Sequence, residues 1–273
     1  MNLEIDGVSF RYPNGAQAIS NVRMQIRSGE QVAWIGANGA GKSTLARLAN
    51  GLLRPQEGVV RVGDWDTRRR RVSELARRVG YVFQNPDEQL FARNLREEVA
   101  FGPRNLGRTA AEVEQAVEAS LKALDLLANA DDNPFDLHPA RRKELGLASI
   151  LAMDPAILIL DEPTTGQDAP GVGRLGRVLG DLRRRGRTVI LISHDMEFCA
   201  EYADRIAVFS QGRVVLDAPA RQAFSRLEIL ASAQVDPPQL ARLAAALDLD
   251  AVPLSVDEFL EAWRGERGGE PGP

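Results

Sequence analysis

The chain has 273 residues, 44% of them apolar and 26% charged, enough to bury one large core or two modest ones without disulfide support. Its single cysteine, Cys199, rules out an intrachain bridge and fits a reducing compartment. A net charge of −4 argues against a nucleic-acid surface, so no nucleic-acid partner is expected, and the Arg runs at 68–71 and 183–185 read as solvated faces.

From the N-terminus, MNLEIDGVSF alternates apolar and polar residues as a strand does, without the basic start and apolar run of a signal peptide. No stretch approaches the roughly 18 to 20 apolar residues of a membrane helix. Alternation predicts strands over Leu3–Tyr12 and Val22–Arg27, closed by a Ser28-Gly29 turn. EQVAWIGANGAGKSTLARLANGLL then reads as strand, glycine-rich turn and helix, ending at Gly51 to Pro55. Strands at Glu57–Arg61 and Val79–Gln84 flank a short helix at Glu74–Arg78. From about 93 to 152 Ala, Glu and Leu dominate, and Val113, Ala116, Val117, Leu121 and Leu124 keep helical spacing, which marks a helical insert.

AILIL follows as a buried strand, then a helix around Val172–Leu182, the strand TVILIS, and a helix from Glu197 into IAVFS. Strands alternating with helices imply an α/β fold whose parallel sheet is covered on both faces. Residues 221–263 read as two or three short amphipathic helices, and 264–273, rich in Gly, Pro and charge, as a disordered tail.

GANGAGKST, from Gly36 to Thr44, fits the phosphate-binding loop G-x-x-x-x-G-K-[ST] in the strand-to-helix context that motif requires. Its glycines let backbone N–H groups curl around phosphate oxygens at the positive end of a helix; Lys42 reaches the β and γ phosphates and Ser43 can ligate Mg²⁺. Of the 34 Lys and Arg residues, only Lys42, Lys122 and Lys143 are lysine. A lysine at 42 in an arginine-preferring chain therefore suggests a need for a compact point charge. Asp161 and Glu162, at the end of AILIL, stand where ligands of parallel sheets collect. Asp161 is the candidate holder of Mg²⁺, Glu162 the candidate base for an attacking water, and His194, after TVILIS, the candidate γ-phosphate contact.

In order, Tyr12, GANGAGKST, Gln84 in YVFQNPDEQLF, the helical insert, ILILDEPTTGQD and His194 in LISHD resemble the ATP-binding cassette superfamily over about Leu3–Pro219. The resemblance implies a P-loop NTPase fold: a RecA-like parallel sheet core with an antiparallel β subdomain and the helical insert, as one cassette over 1–220 carrying the C-terminal helical extension. It implies ATP and Mg²⁺ as ligands, with Tyr12 stacking on adenine unless it only shares a core face with Phe10. Nucleotide contacts would come from Gly36, Asn38, Gly39, Ala40, Gly41, Lys42, Ser43, Thr44 and Gln84, and metal contacts from Ser43, Gln84 and Asp161.

FQNPDEQLF and EEVAFGPRNLG further resemble ATPase subunits of energy-coupling-factor importers. That implies a peripheral subunit on the cytoplasmic face of a bacterial or archaeal membrane, powering uptake of a vitamin or transition-metal ion. Its partners would be a second ATPase, a transmembrane coupling protein and a substrate-binding membrane component. A soluble cassette ATPase, of Fe–S assembly or DNA-associated type, is the alternative.

The family's Leu-Ser-Gly-Gly-Gln signature falls here on Leu137, His138, Pro139, Ala140 and Arg141. Pro139 has no N–H to offer an anion, although proline is also a common helix starter, with His138 or Arg141 then supplying another contact. A degenerate signature implies an unequal heterodimer. Asp168 matches the loop aspartate of the dimer seam, and the extension either lengthens that seam or caps the core.

Overall fold

The computed structural model describes residues 1–267. Strands β1 (Leu3–Arg11) and β2 (Gln17–Ile26) form a hairpin and precede β3 (Gln31–Gly36), helix α1 (Lys42–Ala49), β4 (Glu57–Val62) and β5 (Trp65–Asp66). A short helix α2 (Val72–Leu75) leads to β6 (Val79–Val82), then to helices α3 (Leu95–Asn105), α4 (Ala110–Ala123) and α5 (Pro139–Leu151). The chain returns through β7 (Ile157–Asp161), α6 (Ala169–Arg184), β8 (Thr188–Ile192), α7 (Met196–Tyr202), β9 (Arg205–Ser210) and β10 (Arg213–Pro219). It continues in α8 (Ala220–Phe224), α9 (Leu227–Ser232), α10 (Gln239–Ala246) and α11 (Val256–Arg267).

Two sheets result. The smaller, β2-β1-β4-β5, is antiparallel; the larger runs β10-β9-β3-β8-β7-β6, with only the β9–β10 pair antiparallel. Successive side chains of a strand face opposite ways, and the central strands are apolar on both faces. Ile157, Ile159, Ile190 and Ile192 thus join α1 and the antiparallel sheet in one core, while Leu158, Leu160, Val189 and Leu191 join the insert, α6 and α7 in the other. The α/β expectation, with a parallel core, an antiparallel sheet and a helical insert, is met.

Several local readings are corrected. The second strand starts at Gln17, not Val22; a register shift beside Asn21, whose φ is +49°, breaks the alternation the eye follows. The short helix begins at Val72, because the Glu74 carboxylate accepts from the Arg71 backbone N–H (3.0 Å) and caps its first turn. The helix from Glu197 stops at Tyr202, and IAVFS lies in β9. The extension holds four helical segments rather than two or three, and α11 carries residues 264–267 into regular structure; the remainder of the proposed tail lies outside the described residues.

The extension adds to the insert-side core. Ala223, Phe224, Leu230, Ala233 and Val235 are buried in the same cluster as Phe198 and Cys199. Cys199, fully buried on α7, has its thiol pushed well above the ordinary range by burial, with Asp195 adding to the shift.

Candidate functional site

β3 is buried along its whole length and delivers the glycine-rich turn to the start of α1. Gly36 has φ +143°, and a Cβ there would lie 2.2 Å from the Phe209 carbonyl oxygen; Gly41, at φ +107°, would meet the Ala18 carbonyl at 2.5 Å. Glycine is therefore demanded by neighbouring backbone as well as by turn geometry. Helix α1 has no acidic residue in its first turn, and the first N–H groups of any helix lack intrahelical partners, so an anion is favoured at this end. Lys42 is buried, its Nζ donating to the carbonyls of Gly36 (2.6 Å) and Ala37 (3.0 Å). Burial lowers its pKa, and the Glu162 and Asp161 carboxylates partly oppose that shift.

The opposite wall comes from adjacent parallel strands. Asp161 pairs in register with Ile192, so Glu162 and His194, each just past its strand, emerge side by side. The Tyr81 hydroxyl donates to Asp161 Oδ2 (2.6 Å), while Asp161 Oδ1 is buried without a partner. Burial, with the Asp161 charge behind it, pushes the Tyr81 phenol up, so it remains a donor. An unpaired, desolvated carboxylate oxygen is costly unless a cation or donor completes it. It suits a hard cation such as Mg²⁺, and Ser43 and Gln84, which line the same cavity, would add neutral oxygens. Among the described residues no group of three or more His, Cys, Asp or Glu side chains could hold a metal, so such an ion would lean on substrate phosphates.

Glu162 sits at φ +51°, a strained backbone for a residue with a Cβ. Its amide donates to Ile192 O (2.8 Å), Oε2 accepts from Thr165 Oγ1 (3.2 Å), and Oε1 lies 3.4 Å from His194 Nε2. The carboxylate side chain is 8% exposed and the imidazole 43%. From the helical insert, Lys143 Nζ donates to the carbonyls of Glu162 (3.0 Å) and Thr165 (2.8 Å).

A cavity of about 350 Å³, within the range of small-molecule sites, brings together Tyr12, Asn38, Gly39, Ala40, Gly41, Lys42, Ser43, Thr44, Gln84, Asp161, Glu162 and His194. The Tyr12 ring meets Phe10 edge-on (5.1 Å between centroids), and its hydroxyl is 3.0 Å from Thr44 Oγ1 at the cavity wall. Gly36 lies at the base of the turn. Leu137–Arg141 and Asp168 do not line this cavity.

The signature stretch opens α5, with His138 exposed at the N-cap, its side chain making no capping bond, and Pro139 in the first turn. Arg141 donates to the carbonyls of Leu124 (3.0 Å) and Asp125 (2.6 Å) and pairs with the buried Glu144. Those bonds occupy its guanidinium within this chain. Asp168 caps α6, accepting from Gly171 N–H (2.8 Å). Sequence reasoning did not assign Tyr81, Thr165 or Lys143, although the scarcity of lysine that singles out Lys42 points equally to 143.

The phosphate-type turn, the acidic strand end and the neighbouring histidine define a nucleotide-binding cassette. Residues 19–165 match the family model described as ABC transporter, and the chain belongs to that family of ATP-binding cassette ATPases. It is 38% identical over 275 residues to the energy-coupling factor transporter ATP-binding protein EcfA of Methanothermobacter thermautotrophicus, covering 98% of this chain and 88% of that one. A relative in Methanosarcina acetivorans, 40% identical over 256 residues, is longer, and this chain spans 41% of it. Among solved structures it resembles cbiO1 of Clostridium perfringens, described as part of the ABC transporter complex cbiONQ, with TM-score 0.74 and 30% identity over 90% of this chain and 98% of that one.

Proposed function

We propose that this chain is the ATP-hydrolysing subunit of an energy-coupling-factor importer that takes up a vitamin or a transition-metal ion. One observation carries the reading: the cavity gathers the phosphate turn, the orphaned Asp161 oxygen with Glu162, and His194 from three separate segments of the chain. The EcfA relative and cbiO1 support the transporter type. No helix among the described residues is long and apolar enough to cross a membrane. In this reading a transmembrane coupling protein and a substrate-binding component provide the membrane passage, with this subunit docked at the cytoplasmic face.

The residues divide the chemistry as follows. The N-terminus of α1 and Lys42 bind and orient the phosphates, and Tyr12 flanks the base. Asp161, Ser43 and Gln84 would hold Mg²⁺, which supplies charge neutralisation on the phosphates. Glu162 accepts a hydrogen bond from the attacking water and takes its proton as the γ-phosphate bond breaks. His194 donates to the γ-phosphate and, at 3.4 Å from Glu162, fixes where that water sits.

Because Pro139 lacks an N–H and Arg141 is bonded within its own chain, the signature contributes little to a nucleotide on a partner subunit. The working pair is then a heterodimer with a signature-intact ATPase, and Asp168 stands at its seam. The test is to extract the tagged chain from host membranes and identify its companions by mass spectrometry. A second ATPase and a polytopic membrane protein are expected; recovery from cytosol alone, or with assembly factors, overturns the transport reading.

A further inference from the structure

Helix α5 is bonded to two loops beside the cavity, the one that carries Glu162 and Asp168 and the one that follows Gln84. Near its N-terminus, Ala140 O accepts from Gln167 Nε2 (3.1 Å), just before Asp168. Arg142 reaches Asp87 at 3.1 Å, three residues past Gln84. Lys143, one turn into the helix, donates to two carbonyls of the loop that holds Glu162.

The Lys143 contacts differ in kind from the others. Glu162 occupies a left-handed backbone conformation, and such strain persists only where surrounding bonds over-determine it. Its N–H is fixed by β8 through Ile192 O, and its carbonyl by the Lys143 ammonium. An ammonium donating to two neutral carbonyls forms charge-assisted bonds; burial lowers the Lys143 pKa, and the Glu162 and Asp161 carboxylates partly oppose that shift. Without it the Glu162 peptide could rotate toward an unstrained conformation, carrying the carboxylate away from His194.

We propose that Lys143 is a positioning residue for hydrolysis: by holding the Glu162 and Thr165 carbonyls, it ties the carboxylate loop of this chain's own phosphate site to helix α5. The exposed start of α5, where the second ATPase of the proposed pair would sit, belongs to the same helix as Lys143. This inference rests on the assignment of Glu162 as the base. It adds a route within one subunit between the face offered to a partner and the chemistry of the cavity.

The experiment measures steady-state ATP hydrolysis by the full chain in its membrane-extracted assembly, alongside binding of a fluorescent ATP analogue. Lys143→Met is expected to lower kcat about 10-fold or more with KM within about two-fold, and Lys143→Arg to keep most of kcat. In the Glu162→Gln background Lys143→Met is expected to cause no further loss, since the lysine acts through the carboxylate. Wild-type kcat in Lys143→Met, a change confined to KM, or fully multiplicative loss in the double variant overturns the inference while leaving the ATPase reading intact. Unchanged hydrolysis in Glu162→Gln removes the base itself, and the positioning role with it. If Lys143→Met does not fold, Lys143→Gln decides: lowered kcat with retained nucleotide affinity supports the role, and wild-type kcat overturns it.

Discussion

At Glu162 strain and chemistry occupy the same residue. Its φ of +51° costs on the order of 1–3 kcal/mol, a cost other residues there could shed by relaxing the turn. Glu162→Gln keeps the shape, the bond to Thr165 and the loop, but removes the proton acceptor. Turnover is expected to fall about 10²-fold or more with nucleotide affinity retained, read by phosphate release and analogue binding. Gly36 makes a separate prediction about the fold. A methyl 2.2 Å from the Phe209 carbonyl forces β3 and β9 apart, so Gly36→Ala is expected to cost about 2–4 kcal/mol, checked by urea unfolding with the midpoint shifted and the slope unchanged.

Among the elements, α5 best separates what its sequence displays from what packing decides. LHPARRKELGLA advertises a missing signature, and the proline at the helix start is visible in the letters alone. The destination of Arg141 is not, because Leu124 and Asp125 lie 17 and 16 residues upstream and the contact exists only once α4 and α5 pack. Two opposed outcomes follow from that geometry. His138→Ser, Pro139→Gly and Ala140→Gly together are expected to raise hydrolysis by this chain alone, in a manner that grows with protein concentration as pairs form. Arg141→Ala is expected to cost about 2–4 kcal/mol in thermal or urea unfolding, because it strips a partner from the 5%-exposed Glu144 carboxylate and leaves only Arg174. The central strands were readable because β-branched and leucine runs bury on both faces whatever surrounds them. β2 and the extension were harder, since a local register shift and short helices set by tertiary contacts leave no sustained period.

For the whole molecule, the order of motifs disclosed the fold class and most of the cavity, since each motif carries its own local geometry. Lys143 and Tyr81 escaped because their roles depend on two distant segments meeting. The C-terminal boundary is the other case: composition marks a change near residue 220, yet Phe224 and Leu230 are wholly buried in the core of the cassette. Burying a Phe or Leu side chain contributes about 1.5–3 kcal/mol, and net domain stability is about 5–15 kcal/mol. A chain ending at Pro219 is therefore expected to be insoluble or to melt far below the full chain, measured by expression and differential scanning calorimetry; unchanged melting would show the extension to be an appendage. The same packing leaves the molecule an unintended convenience. With its one thiol on the buried face of α7 and held protonated, the native surface offers nothing for maleimide dyes to react with. A reporter cysteine introduced at His138 would be the sole labelled position, and its fluorescence could follow a partner's approach to α5 in real time without first removing any natural residue.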